Sequence, residues 1–251
     1  MPEKRVALVV GAASGIGAAT ARRLARDGFR LAVADRDQAA LAGVATETGA
    51  CAFPVDIADE ASVTTLFDAV EAALGPVAVL VNTAAISPMK PGGGMLGMAD
   101  TSSDVIRRVM DINVLGALWL SREYSLRADR VERGDGRVVL LSSSAARLGG
   151  MRSAVVYSTS KGAIQSLVKG LARELAPRAI TVNCVAPGLV DTPMLRAGLD
   201  PAQDEEANKA VPLGRIGTAD EMANAIAWLV SDQAAYMTGA TLDVNGGYHM
   251  L

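Results

Sequence analysis

The stretch Arg5-Val6-Ala7-Leu8-Val9-Val10-Gly11-Ala12-Ala13-Ser14-Gly15-Ile16-Gly17 decides the fold. It opens on a short apolar run with the length and β-branched content of a buried strand. A glycine turn follows, and Ala18 to Asp27 then keeps a helical pattern. A strand, a glycine turn and a helix N-terminus in succession make an anion cradle, because free N–H groups and the positive end of the helix macrodipole face one point. The glycines let the backbone approach a pyrophosphate and let the helix pack close to the strand. The spacing is G-x-x-x-G-x-G rather than G-x-G-x-x-G. No Gly-Lys-Ser/Thr ending follows, which disfavours a nucleoside-triphosphate P-loop.

Working outward, further strands are expected over Phe29 to Ala34, Ala50 to Val55, Val77 to Val81, Val138 to Leu141, Ala179 to Val185 and Ala240 to Val244. Helical patterns lie between them: Gln38 onward, Glu60 to Leu74, a long helix from about Ser103 to Arg130 carrying Asn113, one reaching Leu175 that holds Tyr157 and Lys161, and Ala219 to Val230. Strands alternating with helices predict parallel strands joined by right-handed crossovers. The fold class is therefore α/β: a doubly wound parallel sheet with helices on both faces. With no linker and no internal repeat in 251 residues, a single domain is expected.

Ligands of such sheets bind beyond the carboxyl ends of the strands. Gly11, Ser14, Asp35, Asp56, Asn82 and Ser143 all fall at such ends. Asp35 follows the glycine turn by about 20 residues, where a carboxylate bonds the ribose hydroxyls of a dinucleotide. A carboxylate there repels a 2′-phosphate and so favours NAD over NADP, while the neighbouring Arg36 pulls the other way. Asp35 can instead cap the helix from Gln38, and Asp56 or Asp59 the helix from Glu60.

Val138-Val139-Leu140-Leu141 runs into Ser142-Ser143-Ser144, and Tyr157-Ser158-Thr159-Ser160-Lys161 opens a long helix. Residues four apart share a helix face, so the Tyr157 phenol and the Lys161 ammonium point the same way. A phenol with a pKa of about 10 is a poor base at neutral pH, and bringing it near 7 needs roughly 4 kcal/mol in favour of the phenolate. One lysine is not enough; a second positive charge in the same pocket would complete it. Asn113, a weak helix former, marks a kink where its side chain replaces a backbone bond or holds a water, or else is a partnered polar residue under the sheet.

Composition bounds the rest. Half the chain is apolar with 4% aromatics and 25 glycines, which implies close helix-on-sheet packing. A net charge of −3 without a basic tract argues against nucleic acid. No apolar run of about 18 residues suggests a membrane span. Met1 to Arg5 does not read as a signal peptide. The cysteines, Cys51 and Cys184, lie far apart without metal spacing and are expected as buried free thiols. A cytoplasmic setting and no metal are expected. The stretch 87–101 reads as a flexible loop and 193–217 as a substrate lid, with Met89, Met95, Met98, Met151, Met194 and Leu195 as candidates for an apolar cleft. A serine hydrolase is disfavoured: Gly11-Ala12-Ala13-Ser14-Gly15 lacks the G-x-S-x-G elbow, and the single histidine, His249, lies at the very end of the sequence.

In combination, Gly11-x-x-x-Gly15-Ile16-Gly17, Asp56-Ile57, Asn113, the serine run, Tyr157-x-x-x-Lys161, and Asn183 with Pro187-Gly188 resemble the short-chain dehydrogenase/reductase family over Val6 to Gly247. The resemblance implies a seven-stranded Rossmann sheet of order 3-2-1-4-5-6-7 and an NAD(P)-dependent enzyme acting on an alcohol or ketone. It implies Tyr157 as general acid/base, Lys161 lowering its pKa and bonding the nicotinamide ribose, Asn113 holding a water, and a serine on the reacting oxygen. Ser14 and Ile16 would lie at the pyrophosphate, Asn82 and Ala84 at the adenosine ribose, and Val190 and Thr192 at the carboxamide. The oxidised nicotinamide would supply the second positive charge. A homotetramer is also implied. Two departures stand out: Val10 where the family has Thr, and Asn82-Thr83-Ala84-Ala85 where it has Asn-Asn-Ala-Gly. Counting from the strand start selects Ser143, and counting back from Tyr157 selects Ser144. Ser143 is chosen because a strand fixes position more rigidly than a loop. A nucleotide-binding regulator without turnover is the alternative to an enzyme.

Overall fold

In the computed structural model, residues 5–90, 94–150 and 154–250 are described. Seven parallel strands, β1 Val6–Val10, β2 Arg30–Asp35, β3 Cys51–Pro54, β4 Val77–Asn82, β5 Arg137–Leu141, β6 Thr181–Pro187 and β7 Thr241–Val244, form one sheet of order β3-β2-β1-β4-β5-β6-β7. The order reverses between β1 and β4, which opens a crevice at their carboxyl ends.

Alternation within the strands builds two cores. Val6, Leu8 and Val10 face one side with α3 (Glu60–Leu74), α5 (Gly116–Leu126) and α7 (Val155–Leu175). Ala7 and Val9 face the other, against α1 (Gly15–Arg26), α2 (Gln38–Thr48) and α10 (Ala219–Val230). Successive strand residues point to opposite faces, so a strand apolar throughout is the signature of a sheet covered on both sides.

Three local expectations are corrected. The segment from Ser103 to Arg130 is not one helix: α4 (Ser103–Met110) passes into a π-helical turn at Asp111–Leu115, then α5, then a 3-10 turn at Ala128–Arg130. The Asn113 side chain accepts the Ile86 N–H at 2.8 Å and donates to the Ile86 carbonyl at 2.9 Å, a tie that fits the widened turn. Cys51 is exposed rather than buried, because β3 is the edge strand; Cys184 is buried in β6 as expected. The α2 cap is Asp37 rather than Asp35, while α3 is capped by Asp59, one of the two candidates; Asp35 and Asp56 both line the crevice.

The stretch 193–217, read as a substrate lid, carries short helices. Arg196, in α8 (Pro193–Arg196), pairs with Asp191 at 2.8 Å and with Asp204, in α9 (Asp204–Lys209), at 2.6 Å. No helix among the described residues is long and apolar enough to cross a membrane.

Candidate active site

One cavity of about 1020 Å³ runs along the carboxyl ends of the strands. Gly11, Ser14, Gly15, Ile16 and Gly17 form its floor; Asp35, Arg36, Asp56 and Ile57 line it beyond β2 and β3; Ser143, Tyr157, Lys161, Pro187, Gly188, Val190 and Thr192 line it beyond β5 and β6, with Ala84 at β4. Two expected residues, Asn82 and Asn113, stand behind the wall. Asn82 is buried and accepts the Ala84 N–H at 3.1 Å, so it shapes the end of β4. Asn113 donates at 3.0 Å to Ser160 in α7, next to Lys161.

The residues present fit a dinucleotide. A Cβ on Gly17 would lie 2.0 Å from the Gly11 carbonyl oxygen, and one on Gly11, whose φ is +81°, would lie 2.5 Å from the Ala84 nitrogen. Only glycine permits this turn. Ser14 makes no side-chain cap, so the first N–H groups of α1 stay available to an anion. The Asp35 carboxylate is aimed by two backbone donors, Ala13 N–H at 3.1 Å and Asp37 N–H at 3.0 Å. The Thr83 hydroxyl donates to the Val10 carbonyl at 2.9 Å and to the Gly11 carbonyl at 3.1 Å, tying the end of β4 to the end of β1.

At the other end, the three serines separate. Ser142 is buried, donating to the Lys161 carbonyl at 2.9 Å and accepting from Gln165 at 3.1 Å. Ser144 is buried and its N–H donates to the Pro187 carbonyl at 2.8 Å. Ser143 is half-buried and lines the cavity together with Tyr157, and of the three serines it is the one that lowers the Tyr157 phenol's pKa. Gln165 went unnoticed in the sequence because nothing marks a helix residue that reaches a strand end.

Burial pushes the Tyr157 phenol above its ordinary value, and the hydrogen bond to Ser143 draws it partly back. Burial also brings the Lys161 ammonium down to about 8. Lys161 donates to the Leu141 carbonyl at 2.9 Å, with its nitrogen 5.7 Å from the Tyr157 ring centre.

Met89, Met95, Met194 and Leu195 line the cavity beside Leu148, Leu199, Glu206 and Tyr248. Met98 is not part of the lining, and Met151 lies outside the described residues. No cluster of metal-ligating side chains occurs among the described residues.

A family model described as enoyl-(acyl carrier protein) reductase matches residues 11–249. An uncharacterised oxidoreductase, YgfF, of Escherichia coli (strain K12) is 38% identical, with 96% of this chain and 99% of that protein covered. Galactitol 2-dehydrogenase (L-tagatose-forming) of Cereibacter sphaeroides is 39% identical, with 96% of this chain and 94% of that protein covered. Among solved structures, 3-ketoacyl-(acyl-carrier-protein) reductase from Brucella melitensis complexed with NADH has a TM-score of 0.90 and 32% identity, with both chains fully covered at 100%. The chain belongs to the short-chain dehydrogenase/reductase family. It is an NAD(P)-dependent oxidoreductase acting on CH–OH groups or the corresponding carbonyls.

Proposed function

We propose that this enzyme transfers a hydride between NAD(H) and a secondary alcohol or ketone, with Tyr157 as general acid/base. The observation that carries the reading is that Ser143, Tyr157 and Lys161 line the same cavity as an Asp35 carboxylate oriented by two backbone donors. Bound NAD(H) would accept or supply the hydride and, when oxidised, bring a cationic ring to the site.

The chain's residues do the rest. Gly11, Gly15 and Gly17 admit the pyrophosphate, with Ser14 and Ile16 beside it, and Asp35 takes the ribose hydroxyls. Asp56 and Ile57 lie toward the adenine, Asn82 and Ala84 shape the ribose wall, and Val190 and Thr192, after Pro187-Gly188, hold the carboxamide. The Tyr157 oxygen exchanges a proton with the substrate oxygen, Ser143 orients that oxygen, and Lys161 favours the phenolate by its charge. Asn113 holds the π-turn beside α7 and with it the route from Lys161 to water.

A second reading, NADP(H)-dependent reduction of a 3-oxoacyl group, draws on Arg36, which is exposed at the cavity edge. The Brucella relative supports only the 3-oxoacyl substrate, since it is complexed with NADH. For assembly we propose a homotetramer, in which Leu115, Leu118 and Val155, all exposed on the α5 and α7 side, would be covered.

The test follows reduced-nicotinamide absorbance with NAD and NADP against secondary alcohols, polyols and 3-oxoacyl thioesters. Turnover with NAD and a secondary alcohol, abolished by Tyr157→Phe, is expected. A flat trace across the panel despite NAD binding would favour a regulator, and a preference for NADP that Arg36→Ala removes would favour the second reading.

A further inference from the structure

Ser143 sits at the mouth of a helix too short to hold itself in place. α6 (Ala145–Leu148) is a single turn, and so short a helix has no stability of its own. Its near end is tied to the sheet: the Ser142 N–H donates to Val185 at 2.9 Å and the Ser144 N–H to Pro187 at 2.8 Å. Its far end is tied by Arg147, whose guanidinium donates to the Asp243 carboxylate of β7 at 2.5 Å.

Asp243 is opposite Ala186 in the β6–β7 register, one residue before the Pro187 that receives Ser144. The two ties therefore anchor α6 to neighbouring points of the same two strands. The pair is largely sheltered, with side-chain exposures of 19% and 25%, and neither residue lines the cavity. Oδ1 of Asp243 is buried with no hydrogen bond among the described residues, so Arg147 is the partner that compensates this carboxylate.

The orientation of α6 reaches the reacting centre through one atom. The Ser143 oxygen accepts the Ala145 N–H, the first of α6, at 3.1 Å. That bond ties the Ser143 oxygen to the first backbone N–H of α6, in the cavity that Tyr157 also lines. A tilt of α6 therefore moves the hydroxyl.

We infer that Arg147 and Asp243 are a positioning pair that sets the Ser143 hydroxyl and so governs turnover without touching cofactor or substrate. The inference rests on the role proposed above for Ser143.

The experiment measures kcat and KM for the best alcohol of the panel in Arg147→Gln, Asp243→Asn, Arg147→Lys and Ser143→Ala, and in the double variant of Arg147→Gln with Ser143→Ala. Arg147→Gln and Asp243→Asn are expected to lower kcat by about 10- to 100-fold, the order expected when a reacting group is misplaced by about 1 Å, with KM for NAD unchanged. Arg147→Lys keeps the charge and recovers part of kcat. Adding Arg147→Gln to Ser143→Ala costs nothing further, since the pair acts through the hydroxyl already removed. Wild-type kcat in Arg147→Gln overturns the inference, as does an equal loss with and without the Ser143 hydroxyl. If Arg147→Gln does not fold, wild-type kcat in Asp243→Asn overturns it alone. Full turnover in Ser143→Ala is a separate result: it removes the role proposed for Ser143, and the positioning pair with it.

Discussion

The Thr83 hydroxyl lies 2.9 Å from the Val10 carbonyl oxygen and 3.1 Å from that of Gly11, sharing its one proton between the last residue of β1 and the first of the glycine turn. This tie joins the end of β4 to the end of β1 across the switch point of the sheet.

Thr83→Val keeps the shape and removes the bond. A neutral hydrogen bond contributes about 1 kcal/mol net, so a small fall in thermal midpoint is expected, with a larger fall in NAD affinity because the tie holds the turn. Calorimetric titration with NAD alongside thermal unfolding checks both. Unchanged affinity would mean the turn holds itself.

Gly17→Ala places a methyl 2.0 Å from the Gly11 carbonyl, against backbone that cannot yield. Overpacking of this kind costs about 1–3 kcal/mol. The variant is expected to be destabilised and to lose NAD binding together, as read by thermal unfolding and fluorescence titration. Tight binding in a stable Ala variant would contradict the cradle.

Ser143→Ala is expected to lower turnover far more than Ser144→Ala, because Ser143 is the half-buried serine that lowers the Tyr157 phenol's pKa, whereas Ser144 is buried. Ser144 contributes through its backbone, which alanine preserves. The reverse ranking in steady-state kinetics would move the role to Ser144.

Lys161 is buried, and its pKa falls from 10.5 to about 8. The unfolded chain therefore binds more protons than the folded one between those values. Stability contributed by this group rises with pH through that window, and below pH 8 the buried charge is a standing cost. Lys161→Met is thus expected to abolish turnover while raising stability at pH 7 by roughly 1–3 kcal/mol, less the lost bond to Leu141. The gain should shrink toward pH 10. Denaturant midpoints at both pH values decide; a variant less stable at pH 7 would show that the Leu141 bond outweighs the burial cost.

The sheet was legible because its central strands are apolar on both faces, and β1, β2 and β5 end in or are followed by glycine, acidic or hydroxyl residues that have no reason to sit at a buried strand's end unless a ligand does. Asp35 was legible for the same reason. The edge exposure of Cys51 was not, since an apolar run reads the same at the edge as at the centre. Nor was the π-turn at Asn113, which depends on Ile86, a loop residue distant in the chain.

The sequence by itself determined the doubly wound sheet, the glycine cradle, and Tyr157 and Lys161 on one helix face, because these rest on periodicity and spacing within short segments. Only the tertiary structure decided which serine meets the phenol, where Lys161 directs its proton, and that Arg147 is anchored by Asp243. Each of these is a contact between residues far apart in the chain, and its geometry exists only once the strands have paired.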